Sequence, residues 1–398
     1  MQADPATALL SDPAAVFAYL AGVIAFVFWL SGLPALKKIF AITPPVIYAY
    51  FIPTLSTAAG ITPLSSPAYA WMTRYLLPVA LILLMISVDL RAIIRLGRMA
   101  LVMMLAGTVG IIIGGPVALL VFGQWLPADA WKGFAALSGS WIGGTANLVA
   151  MAESVGASAE ILAPVIVVDT VVGYGWMGML LLLSAYQARF DRWNRADTRV
   201  IEETNRRMAT LEDKRRPTEL RDLLIIIGFA FVAATLAIAA GGMLPRVGDP
   251  TIISATTWAV LIVVTAGLLL SFTPVQRLEQ VGASRVGYAA LYLLLTAIGA
   301  QADLRAVLQT PLFFAAGALW LLIHLVVLFA VARMVRAPLF FVATGSMANI
   351  GGAVSAPVVA GVYHPALAPV GLLLGVAGYI LGIYGALACA WLLARVAG

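Results

Sequence analysis

Charge is what this chain lacks most. Asp, Glu, Lys and Arg make up 11% of its 398 residues, and 62% are hydrophobic, against roughly 25% charged in soluble globular domains. A mean hydropathy of +1.01 excludes an ordinary soluble enzyme or binding module and leaves a polytopic integral membrane protein. Cysteine is nearly absent: Cys389 stands alone in the last apolar stretch, so no intramolecular disulfide and no Cys/His metal cluster can form. The N-terminal segment 1–14 has Asp4 and Asp12 but no Lys or Arg. A secretory leader begins with a positive region, so 15–33 reads as a true first span. The net charge of +6 comes from basic residues in loops between spans, where they set topology. No nucleic-acid partner is expected.

What is present is long apolar sequence. Segments able to cross a bilayer, at about 20 residues each, fall at 15–33, 43–59, 72–88, 99–123, 159–187, 223–243, 251–272, 285–302, 311–332 and 365–394. Pro44, Pro45 and Pro53 interrupt the second, which demands a kink or neighbours that satisfy the freed carbonyls. The expected class is all-α integral membrane.

Two polar, glycine-bearing stretches interrupt this pattern: Ser138-Gly-Ser-Trp-Ile-Gly-Gly-Thr-Ala-Asn147 and Thr344-Gly-Ser-Met-Ala-Asn-Ile-Gly-Gly-Ala353. Backbone that leaves the helix at membrane depth is tolerated only where protein buries it or where it lines a cavity, and a matched pair marks a transporter's substrate site. Each stretch is either a broken crossing helix or a re-entrant hairpin.

The two halves are related. Asp89-Leu-Arg-Ala92 recurs as Asp303-Leu-Arg-Ala306, Gly139-Ser140 and Gly143-Gly144 as Gly345-Ser346 and Gly351-Gly352, and Ala163-Pro-Val165 and Gly173-Tyr174 as Ala368-Pro-Val370 and Gly378-Tyr379. The matches are collinear at offsets between 205 and 214, which points to duplication. Five crossings per repeat, the second inverted and both glycine stretches re-entrant, put 19 Lys and Arg inside against 5 outside. Full crossing by both stretches gives 17 against 7 at best, so the inverted arrangement is preferred, with both termini outside. The division is a first repeat 1–187, a charged cytoplasmic linker 188–222 and a second repeat 223–398. The linker's ten basic and eight acidic residues read as a solvated connector rather than a lipid-binding arm.

At each Gly-Gly the chain can turn, and the half-helix that follows presents unpaired N–H groups and a positive dipole end, a seat for a carboxylate. The candidate substrate-binding residues are Ser138, Ser140, Gly143, Gly144, Thr145 and Asn147 from the first half, and Thr344, Ser346, Asn349, Gly351, Gly352 and Ser355 from the second. Asp169 lies deep in the fifth span. An ionised carboxylate there costs at least about 2.5 kcal/mol, so it must be paired, protonated or cation-bound. Together with Thr170, Thr145 and Asn147 it forms the expected coupling site, for a proton or a sodium ion. By the Gly-Tyr alignment its counterpart is Leu374. His324, in the ninth span, reads as an interhelical donor rather than a proton relay. No Ser/His/Asp set, HExxH or carboxylate pair occurs at membrane depth, so no enzyme is expected and no cofactor beyond sodium.

The runs at 139–147, 163–170 and 345–352 resemble the YjcL-like membrane family, catalogued as domain-of-unknown-function family 819. The twin Gly-Gly segments are more distantly similar to the sodium:glutamate symporters and the 2-hydroxycarboxylate transporters. The resemblance implies a secondary, cation-coupled carrier, dimeric, with a mobile core that moves as an elevator. The expectation is therefore a multi-pass protein of the bacterial inner membrane that carries a small carboxylate-bearing solute, such as an amino acid or short peptide. Spans one, two, six and seven would be its scaffold. The alternative is an ion channel or a cation/proton antiporter without organic substrate.

Overall fold

The computed structural model describes residues 8–42, 45–208, 216–248, 253–301 and 310–397. It is helical, and the β pairing among the described residues is one bridge between Val247 and Ile253. In chain order the helices are α1 (Pro13–Ser31), α2 (Lys37–Ile42), α3 (Pro45–Ala58), α4 (Pro67–Ile86), α5 (Leu90–Arg95), α6 (Arg98–Phe122), α7 (Ala130–Gly143), α8 (Thr145–Val155) and α9 (Ala159–Leu183). The linker forms α10 (Gln187–Asn194) and α11 (Arg199–Met208). Then follow α12 (Leu220–Gly242), α13 (Ala255–Leu270), α14 (Ala283–Ala300), α15 (Thr310–Val335), α16 (Leu339–Ile350), α17 (Gly352–Tyr363) and α18 (Ala368–Ala397). Both halves run in one order: three helices (α1, α3, α4 and α12, α13, α14), a long helix (α6, α15), a pair broken at glycine (α7–α8, α16–α17) and a last long helix (α9, α18).

Short polar side chains set where helices begin. Asp12 accepts the Ala15 N–H at 2.9 Å, Asp89 accepts the Ala92 N–H at 2.9 Å, and Ser158 caps α9 through the Ile161 N–H. Each oxygen satisfies a donor that the first helical turn leaves unpaired. Asp89 is thus a helix anchor, and its repeat partner Asp303 lies outside the described residues.

Among the described residues eight helices are long and apolar enough to cross a membrane, or nine if α13 is counted with the turn that follows it at 96°. Of the ten expected spans, the second and seventh fall short. α3 has 14 residues and α13 has 16, about 21 and 24 Å at 1.5 Å per residue, against a hydrocarbon core of about 30 Å.

Contacts sort the helices into two groups. In one, α4 packs on α14, α13 and α12, and α3 on α14 and α1; in the other, α15 packs on α6, and α18 on α7, α17, α6 and α16. Glycine permits the close crossings of the first group: a Cβ on Gly287 would meet Leu83 at 3.1 Å and the Ala80 carbonyl at 3.2 Å, and one on Gly299 would strike the Tyr50 carbonyl. α1 and α12 lie at the periphery, with 17% and 22% of their apolar windows buried against 72% for α4. Leu224, Val232 and Leu236 on α12 point outward, as lipid contact requires.

Hydrogen bonds fix which ends share a face. On the linker face, Ser87 donates to Glu279 at 2.7 Å and the Arg216 N–H to the Gln280 carbonyl at 3.1 Å. On that face too, the Asp191 carboxylate accepts the Leu339 N–H at 2.8 Å, and Gln187 meets His364 at 3.1 Å. The hairpin α16–α17 therefore begins and ends on the linker face. On the opposite face, Ser254 and Thr257 donate to the Ser154 carbonyl at 3.4 and 3.3 Å. The hairpin α7–α8 begins and ends there.

Candidate functional site

α7 stops at Gly143-Gly144. Gly144 has φ +80°, a left-handed conformation that any side chain would strain. A Cβ on Gly143 would collide with the Asn147 amide and the Gly378 carbonyl. In the other hairpin Gly352 has φ +61°, and a Cβ there would lie 3.6 Å from the Gly144 Cα. The two breaks meet tip to tip, which brings the N-termini of α8 and α17 to one spot. The first N–H groups of each lack helical acceptors and carry the positive end of the dipole.

A cavity of about 90 Å³ surrounds the tips. The first half contributes Ser140, Gly144, Thr145, Asp169, Thr170 and Tyr174, and the second half Gly351, Gly352, Ser355 and Tyr379. Tyr288 and Tyr292, one helical turn apart on α14, complete the wall. Ser140 Oγ donates to Asp169 Oδ2 at 2.9 Å. A carboxylate offers about four acceptor positions, which the Ser140 hydroxyl does not exhaust. The Tyr288 and Tyr379 hydroxyls hydrogen-bond to each other, tying α14 to α18. No Lys, Arg or His is among the residues that line the cavity.

Five of the polar residues singled out from sequence sit elsewhere. Ser138 donates to the Ala135 carbonyl at 2.7 Å, within its own helix. Asn147 donates to the carbonyls of Gly143 at 3.1 Å and Tyr379 at 3.3 Å, which clamps the first hairpin to α18. Asn349 donates to the Met104 and Gly345 carbonyls at 3.0 and 3.1 Å and accepts from Thr108 at 2.9 Å, which clamps the second hairpin to α6. Thr344 is fully buried, and its hydroxyl has no partner.

Ser346 belongs to a closed chain. Trp176 Nε1 donates to its oxygen at 2.9 Å, and His324 Nε2 lies 2.9 Å from the same atom. His324 Nδ1 lies 2.9 Å from the Gly107 carbonyl. A carbonyl only accepts, so Nδ1 carries the proton and Nε2 accepts from the Ser346 hydroxyl. Both nitrogens of a neutral imidazole are used, which makes His324 a tie between α15, α6 and α16.

The physical reason for the sorting is rotation. Residues two apart on an α-helix point about 200° apart, so Ser138 and Ser140 cannot face one cavity. Tyr288 and Tyr292 were not singled out from sequence. Their i, i+4 spacing in an otherwise apolar span was the available signal.

Residues 18–396 match the family described as Protein of unknown function (DUF819). A Bacillus subtilis (strain 168) protein described as "Uncharacterized membrane protein YjcL" is 26% identical over 341 residues, covering 82% of this chain and 84% of that protein. A match that spans both hairpins and every lining residue of the cavity decides the membership: this chain is a multi-pass membrane protein of the DUF819 family.

Proposed function

We propose that the protein is a secondary active transporter, driven by a sodium or proton gradient, for a small carboxylate-bearing solute such as an amino acid or short peptide. The observation that carries this reading is the meeting of two glycine-broken helix pairs, entered from opposite faces, around a cavity that holds a carboxylate. Half-helix N-termini at mid-membrane suit an anionic group of the solute. Asp169, supported by Ser140 and beside Thr145 and Thr170, suits the coupling cation, a proton or sodium.

Two repeats of inverted topology give alternating access. We assign α6 to α9 and α15 to α18 to a mobile elevator core. α1, α3, α4, α12, α13 and α14 form the scaffold of a homodimer in the plasma membrane. α4 and α14 join the scaffold, in contrast to the sequence expectation, because their tight glycine crossings are with α3 and α13 rather than with the hairpins. The cavity has the make-up of a binding site, so we assign no catalytic reaction and no cofactor other than the coupling ion.

The test is a thermal-shift screen of small carboxylic acids and amino acids on purified protein, with and without sodium, followed by uptake of each hit into proteoliposomes. Asp169→Asn, which keeps size but removes charge, is expected to equilibrate the solute without concentrating it. Accumulation equal to that of the native chain, with unchanged ion dependence, overturns the coupling role.

A further inference from the structure

The cavity's chemistry is one-sided. Among the described residues that line it, Asp169 is the one carboxylic acid, Tyr174, Tyr288, Tyr292 and Tyr379 form its wall, and there is no cationic side chain. A carboxylate at this depth must be paired, protonated or cation-bound, and among the described residues no Lys, Arg or His of the lining is there to pair it. Sodium takes its ligands as oxygen atoms, which the nearby hydroxyls can provide, but it makes no use of the four aromatic rings that line the cavity. The faces of such rings attract cations, above all alkylammonium groups too large and too weakly hydrated to be held by oxygen alone. The Tyr288 and Tyr379 hydroxyls are engaged with each other, and a ring carbon of Tyr379 would stand 3.9 Å from a Cβ on Gly144, so its ring borders the first break.

We propose that the transported solute carries an alkylammonium group, neutralised by Asp169 and enclosed by Tyr174, Tyr288, Tyr292 and Tyr379. The inference rests on the carrier reading above and makes the solute a zwitterion, with its carboxylate at the N-termini of α8 and α17 and its ammonium group at Asp169. A consequence follows for coupling. One carboxylate neutralises one cation, so the ammonium group displaces the proton or sodium that Asp169 holds in the empty core, and solute and coupling ion move in exchange.

The experiment uses the full-length purified protein and three probes: tetramethylammonium (cation alone), propionate (carboxylate alone) and glycine betaine (both). At concentrations several times Kd, tetramethylammonium and betaine are each expected to raise Tm by about 2 °C or more. Asp169→Asn abolishes the tetramethylammonium shift and keeps the propionate shift. Tyr292→Leu also abolishes the tetramethylammonium shift, whereas Tyr292→Phe retains it, which keeps the test decisive if the Asp169 variant does not fold. Stabilisation of the native chain by propionate alone overturns the ammonium inference and leaves the carboxylate reading intact. Stabilisation by tetramethylammonium alone supports the inference and overturns the carboxylate reading. Stabilisation by neither overturns both, and a tetramethylammonium shift that Asp169→Asn and Tyr292→Leu leave unchanged overturns the site.

Discussion

The two glycine breaks look alike in sequence and differ in employment. At the first, polar side chains reach the cavity: Ser140 holds Asp169, and Thr145 and Thr170 stand beside it. At the second, the polar residues are committed to packing. Ser346 is bound to His324 and Trp176, Asn349 to α6, and Thr344 is sealed from any partner; from the break itself Ser355 is the hydroxyl side chain that lines the cavity. At the position that the Gly-Tyr alignment matches to Asp169 stands Leu374, fully buried in α18. The two breaks are thus alike in backbone, while the first half carries the carboxylate and the second half's polar residues cement the core.

The comparison breaks hardest at the glycines themselves. Gly144→Leu and Gly352→Leu each place a large side chain at a positive φ where the tips touch, and both are expected to abolish solute uptake with membrane levels preserved. Normal uptake by either variant, scored against its own expression, would reduce that break to a packing feature.

The opposed entry of the hairpins gives another all-or-none readout. In a Cys389→Ala background, Glu160→Cys, just past the first hairpin, should label with an impermeant thiol reagent on intact cells. Arg192→Cys, on the linker face beside the second hairpin, should label only after the cells are opened. Equal labelling of the two from outside refutes the inverted arrangement.

The two asparagine clamps sharpen the contrast at the scale of single interactions. Asn349 uses both ends of its amide, whereas the Asn147 side-chain oxygen has no partner. Asn349→Ala should therefore cost about 2 to 3 kcal/mol and Asn147→Ala about 1 to 2 kcal/mol. Thermal unfolding of the purified variants measures the order, and a larger loss for Asn147→Ala contradicts it.

The smallest effect concerns a hydroxyl. Thr344→Val removes a buried, unpartnered group and keeps the shape, so stability should hold or rise by about 1 kcal/mol. Ser138→Ala, at the equivalent position, loses a bond to the Ala135 carbonyl and should cost up to about 1 kcal/mol. A loss of unfolding temperature for Thr344→Val as large as that for Ser138→Ala would show that the two hydroxyls are not differently bonded.

Much of the fold was legible because lipid enforces it: apolar runs of sufficient length mark spans, and prolines and paired glycines mark interruptions. Eight of the expected spans are helices of crossing length. The second and seventh were overestimated, since hydropathy reads on past the ends of α3 and α13, and Ser254 and Ser271 cap α13 inside the expected span. The site was legible as a place and less so as a list. Composition around Gly-Gly locates the tips, but the phase of each helix about its own axis comes from distant partners. That is why Asn147 and Asn349, adjacent to the breaks in sequence, point at α18 and α6. The tyrosines of α14 were hidden for the complementary reason, because they belong to a helix with no break at all.

The clamp from Asn147 to the Tyr379 carbonyl spans 232 residues of chain. At synthesis rates of about 5 to 20 residues per second, the first hairpin waits roughly 12 to 46 s for the helix that completes it. Until then its Asn147 amide has no acceptor on α18, and neither water nor lipid at that depth supplies one. Biogenesis of this protein is therefore a matter of timing. The half made first must be sheltered at the insertion machinery until α18 arrives, and a product truncated before α18 has no route to a finished core.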